Sequence, residues 1–510
     1  MNTSLIAKIM IVVSFFLFMG VGVWVSKRVK NAEDYYVMGR QAPTFLVTGT
    51  IVASYLSTTA FTGIFASAYN LGMGPGILNY GCLLTWTLLI FVLGPRVYRL
   101  KALSIPEILS IRYGTHRIRT AASILMILAC STYLVSIFAG AGIALAGPLG
   151  VSKHFAIAIS GIVVLFFSVT GGMWGVVVTD TMMMVLFVGA AILGFPIALT
   201  HAGTASPAEL VQAINASLPG AFKAGGYMPM FGKPFWSASG FVGFMGFMVL
   251  VSMSVGLTGA HCLSRTMICK NEKVVARSFI FAQLLVVLFL VLVYATAPFI
   301  KIAAPADMQG SQAYVWMVME WFNPYLAGII LAGISAAGLS TASTLLQQAG
   351  SALGNDIYGQ FFLSHLPAEE REKKVLSVSR GCMLVIGVLM LLISMVDMAS
   401  DFFTLYSWAF ASGIFVCWLP AIFIGSISKK VSEPAAYWSI IISLVLNIGY
   451  WLLTLTNPIL PHQIYVALPA SFIVLFVGMS RAAPTKAAEE GFWRMQSRQY
   501  KKVHGYVESK

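Results

Sequence analysis

The chain has 510 residues, of which 58% are hydrophobic and only 10% charged, and its mean hydropathy is +0.84. An average soluble domain carries about 25% charged residues, so this composition excludes one and describes a polytopic membrane protein. The net charge of +14 would suit a nucleic-acid binder, but its placement along the chain excludes that class as well.

Apolar runs close to the roughly 20 residues that cross a hydrocarbon core recur from end to end. About thirteen membrane spans are predicted, at about 5–26, 43–68, 76–95, 119–147, 155–176, 181–200, 236–262, 278–300, 325–350, 379–397, 402–426, 435–456 and 463–480. The first is long, lacks a small-x-small cleavage site and ends in the basic "SKRVK", so it reads as a retained anchor rather than a signal peptide. Lys and Arg concentrate in alternate connections, at 27–42, 96–119, 264–277, 351–380, 427–434 and from 481 onward. Of the 32 basic residues, only Lys8, Lys153, Lys223, Lys233 and Lys301 fall on the other side. Cytoplasmic loops retain positive charge, so the N-terminus is expected outside and the C-terminus in the cytoplasm, in a cell (inner) membrane. The charge is thus topological, with some attraction to anionic lipid and no nucleic-acid partner implied.

The six cysteines, Cys82, Cys130, Cys262, Cys269, Cys382 and Cys417, lie in or beside predicted spans without a CxxC pair. They read as small packing residues rather than disulfides or a metal site. The longest polar segments, at about 201–235 and 351–378, and the tail after 480 are too small for a catalytic or nucleotide-binding domain. Walker, Rossmann, HExxH and GxSxG patterns are absent, so neither an enzyme nor an ATP-driven pump is expected, and no cofactor.

Residues 43–200 hold five predicted spans that start inside and end outside, and residues 236–426 hold five that start outside and end inside. Two like units with an odd number of spans are inverted, the architecture of secondary transporters whose site lies near the midplane, where the first helix of each repeat is broken. The expected organisation is an extra helix and basic loop at 1–42, repeat one at 43–200, an outside loop at 201–235, repeat two at 236–426, two additional helices at 427–480 and a tail at 481–510. The leading helices of the two units carry "ASYLSTT" and "SMSVG" at mid-membrane. There the backbone can unwind and present carbonyls, or helices can simply pack closely.

The ninth predicted span contains "LAGISAAGLSTASTLLQQAG", residues 331–350. At helical spacing Ala337, Ser340, Thr341 and Thr344 share one face, which Gln347, Gln348 and Ser351 extend. Any one such hydroxyl commonly bonds back to its own helix. Four hydroxyls in the stretch 340–344 with no carboxylate suit a monovalent hard cation, because a divalent ion would ask for carboxylates.

The chain resembles the solute:sodium symporter family, whose members include sodium/proline, sodium/pantothenate, sodium/sialic acid and sodium/glucose carriers. The resemblance runs over roughly residues 10–480 and is carried by the order of "ASYLS", "SIPEILSIRYG" at 104–114, "TGGMWGVVVTD" at 170–180, "HCLSR" at 261–265, and "AGLSTAST" followed by "NDIY" at 337–358. It implies an all-α fold with a leucine-transporter-like core of two inverted five-helix repeats. It also implies a sodium site made by backbone oxygens matching Ala53 and Leu56, a carbonyl matching Ala337 and adjacent hydroxyls matching Ser340 and Thr341. Some relatives hold a second sodium, and Asp180, Ser343 and Thr344 match that pattern. Asp180 also stands out physically, since an acid beside a membrane span is costly without a partner or a cation, unless it sits at the interface.

For the solute the resemblance implies a pocket between the second, third, fourth, seventh and eleventh spans, with matching positions Tyr55, Ser57, Thr58, Thr59, Asn79, Tyr133, Ser252, Ser254 and Gly256. Sugar carriers place Gln, Glu and Lys in this pocket. Here Ala60 and Asn79 stand at the first two positions and no Lys or Arg falls within a predicted span core, which disfavours a sugar. Ser252 and Gly256, where proline carriers have bulky aromatics, disfavour proline. A small carboxylate, such as a monocarboxylate, a pantothenate-like acid or an amino acid, is the expected solute, held by helix-end amides, hydroxyls and the nearby sodium. The expected activity is import of this solute with sodium by alternating access, by a carrier acting as a monomer. A proton-coupled permease in which Asp180 titrates, and a sensor or channel built on the same bundle, are the alternatives.

Overall fold

Backbone inside a bilayer can satisfy its own hydrogen bonds only as helix or closed barrel, and this chain takes the helical solution. The computed structural model describes residues 3–56, 65–71, 81–201, 256–396, 410–456 and 463–504, together with Phe61, Glu209, Tyr227, Met228, Lys233, Pro234 and Tyr506. In chain order the helices are α1 (Thr3–Ser26), α2 (Ala32–Val37), α3 (Thr44–Tyr55), α4 (Phe65–Leu71), α5 (Gly81–Leu88), α6 (Gly94–Leu100), α7 (Ile105–Tyr113), α8 (His116–Leu149) and α9 (Lys153–His201). After the segment 202–255 come α10 (Ala260–Met267), α11 (Glu272–Ala303), α12 (Gly310–Trp321), α13 (Pro324–Ser351), α14 (Ala368–Ser394), α15 (Leu419–Ile427), α16 (Glu433–Thr456), α17 (Ile464–Arg481), α18 (Lys486–Met495) and α19 (Arg498–Val503). A two-residue antiparallel pairing of Tyr227–Met228 with Lys233–Pro234 is the strand structure among the described residues.

Nine helices among the described residues are long and apolar enough to cross a membrane, and Thr44–Tyr55 and Lys153–Phe166 are shorter apolar helices. Parts of the predicted second, third, seventh and eleventh spans lie outside the described residues. The helix carrying the hydroxyl stripe is the central one. Pro324 in its first turn and the Asn323 side chain, which accepts from Tyr325 N at 3.0 Å, start α13. Its richness in Gly, Ala and Ser lets neighbours approach closely, and a Cβ on Gly328 would lie 2.4 Å from Met10 Cβ of α1. α13 packs against α1, α8, α9 and α14, and its most apolar window is 94% buried, against 28% for α14, which turns Val385 and Leu392 outward.

The predicted fifth and sixth spans are halves of one helical run, α9, broken at Gly172 (φ 52°, ψ −152°). A side chain is excluded there twice over, by the positive φ and because a Cβ would lie 2.6 Å from the Tyr35 ring. The break therefore falls earlier than the predicted boundary at 177–180. Asp180, expected between spans, lies inside the second one, Ser168–His201, about two turns beyond the break at Gly172.

Two motifs have structural explanations. "SIPE" opens α7: Ser104 Oγ accepts from Glu107 N at 3.2 Å while Glu107 Oε2 accepts from Leu103 N at 2.7 Å, a variant of the capping box, and Gly114 closes the helix in the left-handed region. Ser104 also donates to Asp356 Oδ1 of "NDIY" at 2.9 Å, and Arg119 pairs with the same carboxylate, so 104–114 and 355–358 are joined. Buried Arg112 donates to Gly425 O, Ser428 O and Ala488 O at 2.6, 2.9 and 2.7 Å, fastening α15 and α18 to α7.

Candidate functional site

α3 stops at Tyr55 because Leu56 leaves the helical region (φ −86°, ψ 76°). A helix end leaves its last carbonyls without intrahelical donors. One of them, Ser54 O, accepts from Thr341 Oγ1 of α13 at 3.1 Å, and the same hydroxyl lies 3.4 Å from Ala337 O. Ala53, Leu56, Ala337, Ser340 and Thr341 are all buried, so the α3 end and the upper half of the stripe meet out of contact with solvent. Ser340 Oγ has no hydrogen-bond partner among the described residues. The hydroxyl instead faces the Asp180 carboxylate, close enough to interact with it, where α3, α9 and α13 converge.

Asp180 approaches the same region from α9. Its Oδ2 accepts from Thr50 Oγ1 at 2.6 Å, Ser54 Oγ at 3.4 Å and Arg265 Nη2 at 3.2 Å, while Oδ1 has no partner among the described residues. Arg265 Nη2 also donates to Ser54 Oγ at 2.8 Å and to Thr344 Oγ1. Both members of the ion pair are fully buried. This corrects the expectation that no Lys or Arg lies inside the spans. Arg265 was assigned to the basic connection 264–277, yet α10 carries it inward, because a buried carboxylate is destabilising by several kcal/mol unless a counter-charge meets it.

Of the residues matched to a second sodium, Asp180 and Thr344 meet that guanidinium. Ser343 Oγ turns back to Ser340 O at 2.8 Å, and Thr344 Oγ1 lies 3.2 Å from Ser340 O while accepting from Arg265. One turn further, Gln347 Nε2 donates to Tyr35 O at 2.7 Å, which ties α13 to α2.

On the solute side, Tyr55 meets Trp86 edge-on at 5.0 Å, and Gly256 abuts the same place, since a Cβ there would lie 2.4 Å from Thr85 Oγ1 and 3.6 Å from Trp86 Nε1. Tyr133 of α8 faces His261 of α10 edge-on at 6.1 Å. Both His261 ring nitrogens are buried without a hydrogen-bond partner among the described residues, as is Trp86 Nε1. Ser57, Thr58, Thr59, Asn79, Ser252 and Ser254 lie outside the described residues. Sequence reasoning missed Arg265, His261, Trp86 and the Asp180 partners Thr50 and Ser54. The first two stand inside the quoted motif "HCLSR", an available signal, whereas nothing in the local sequence marks Trp86 as close to Tyr55.

A family model described as the sodium:solute symporter family matches residues 35–443. Among solved structures the chain is similar to a sodium-coupled sialic acid symporter in a substrate-bound outward-open state, with a TM-score of 0.79 and 20% identity over 94% of this chain and 98% of that one. It is also similar to Mhp1, a nucleobase-cation-symport-1 family transporter in a closed conformation, with a TM-score of 0.53 and 13% identity over 90% of this chain and 98% of that one. These likenesses establish the all-helical, leucine-transporter-type fold of an integral membrane protein. With four-fifths of its length matched by the family model, the chain belongs to the sodium:solute symporter family, carriers that move a solute together with sodium.

Proposed function

We propose that this carrier imports a small carboxylate with one sodium ion held between Ala53, Leu56, Ala337, Ser340 and Thr341. The observation that carries this reading is the meeting of α13 with the end of α3, where the Thr341 hydroxyl reaches the Ser54 carbonyl and the neighbouring Ser340 hydroxyl faces the Asp180 carboxylate. Sodium there would bridge α3 and α13 and hold the pocket open to the outside for solute. Rocking of the bundle would then release both ligands inside, on the face where the basic loops cluster. Sodium and solute affinities are then linked reciprocally, and a membrane potential adds about 2.3 kcal/mol per charge per 100 mV. One sodium is favoured over two because Arg265 already places a fixed cation between Asp180 and Thr344.

A carboxylate is favoured because the Arg265–Asp180 pair is neutral and adds no net charge, so the sodium itself would balance the solute anion. His261, whose ring nitrogens have no hydrogen-bond partner among the described residues, stands in the first turn of α10 opposite Tyr133 and would supply a donor for it. The deciding experiment is uptake into proteoliposomes of carboxylates, amino acids and sugars, each driven by sodium, potassium or a pH gradient. Sodium-driven uptake of a carboxylate is expected; uptake that follows pH and ignores sodium would reject the sodium site.

A further inference from the structure

Away from the transport site, the basic end of the bundle holds a cavity of about 400 Å³ lined by the start of α11, by α6 and by the tail. Its walls include Arg96, Arg99, Lys273 and Glu272, with Phe91 and Tyr500. Arg99 is spent on Glu272, in a two-point pair at 2.9 and 2.7 Å, and on Met495 O at 2.9 Å. That leaves Arg96 and Lys273. Arg96 Nη1 donates to Val92 O of its own helical run at 2.6 Å, while Arg96 Nε is buried without a partner, and no carboxylate among the described residues pairs with either cation. Burial and the neighbouring Arg99 hold the Arg96 guanidinium below its usual pKa, the signature of a cation lacking its counter-charge. Three cations and one anion line one hollow.

The cavity also sits where hydrocarbon gives way to water. Phe91, on the α5–α6 run one turn before Arg96, is 71% exposed, and Ile280 and Phe281 on α11 turn outward about two turns beyond Lys273. A ligand here meets two uncompensated cations on one side and an apolar, lipid-facing wall on the other. We propose that this cavity binds the phosphodiester headgroup of an anionic phospholipid, with Arg96 and Lys273 on the phosphate and an acyl chain running along Phe91. Basic pockets at the membrane boundary recognise anionic headgroups in this way. An occupied cavity ties α6, the start of α11 and the tail segment 496–500 together, so the lipid stabilises the docked tail.

The test uses the full chain in detergent, followed by thermal shift as phosphatidylglycerol, phosphatidylcholine of matched chains, or inorganic phosphate is added. Three proteins are compared: wild type, Arg96→Gln/Lys273→Gln, and Lys429→Gln/Lys430→Gln, which removes two exposed charges from another basic connection. Phosphatidylglycerol should stabilise wild type and the 429/430 variant alike, whereas the cavity variant should need roughly ten- to thirty-fold more lipid, the loss expected for two cations beside an anionic headgroup. A wild-type melting temperature for the cavity variant in phosphatidylcholine shows that it is folded, and native mass spectrometry of retained lipid supplies a readout independent of melting. Equal stabilisation by phosphatidylcholine, equal losses in the two double variants, or the same effect from inorganic phosphate alone would overturn the proposal.

Discussion

The two halves of the polar stripe on α13 are built from the same residue types and end in opposite states. In the upper half, Thr341 reaches across to the end of α3, while Ser340 Oγ faces the Asp180 carboxylate and makes no full hydrogen bond among the described residues. In the lower half, down to Gln347, the donors are engaged: Ser343 and Thr344 donate back to Ser340 O, Thr344 also accepts from Arg265, and Gln347 donates to Tyr35 O. Hydroxyls in a membrane helix thus do not announce their use. What separates the halves is whether the opposing element brings a fixed cation, as α10 does with Arg265, or a frayed helix end with spare carbonyls, as α3 does. A mobile ion can compete for the second environment far more readily than for the first.

The largest effect is expected where the fixed cation is removed. Arg265→Gln leaves Asp180 buried and unpaired, which should destabilise the protein by about 3–5 kcal/mol and lower its melting temperature. Adding Asp180→Asn should recover much of that loss, because two neutral groups replace an orphaned charge. If the single and double variants melt alike and close to wild type, the lower half does not depend on a fixed cation and the contrast fails.

Next in size is the split between neighbouring hydroxyls. Ser340→Ala or Thr341→Ala should raise the sodium concentration for half-maximal uptake by roughly ten- to a hundred-fold, the size of a lost ligand to a charged group at about 1.5–3 kcal/mol. Ser343→Ala, three residues away, should leave sodium dependence near wild type. Equal shifts in all three would erase the distinction. The sodium Hill coefficient sharpens the same point: a value near one is expected, and a value near two that falls in Thr344→Ala would place a second sodium where Arg265 now stands.

Much of this arrangement was legible in the sequence, because its signals were periodic or compositional. Span-length apolar runs gave the all-helical membrane fold, and helical spacing put Ser340, Thr341 and Thr344 on one face. Arg265 was not legible. As the first basic residue after a long apolar run it looked like the start of a cytoplasmic loop, and only the packing of α10 against α3 and α13 shows that it turns inward. The need could still have been read from Asp180, an acid that requires a cation. The break in α9 was not legible either: the apolar runs put the boundary at 177–180, whereas the backbone yields at Gly172, where only glycine fits against Tyr35.

The smallest effect is expected at Gln347. Its amide nitrogen donates to Tyr35 O, a carbonyl on the short helix α2 rather than part of any ion cage, and its own Oε1 has no partner among the described residues. Gln347→Leu removes one neutral hydrogen bond in a buried setting, so it should cost about 1 kcal/mol of stability and leave the half-maximal sodium concentration unchanged. A Gln that lined the ion's exit would behave differently, because losing its carbonyl oxygen would slow sodium-driven turnover while leaving melting untouched. Measuring both quantities on this variant therefore decides whether the stripe ends at Thr344 in a structural tie to α2 or continues as a path for the ion.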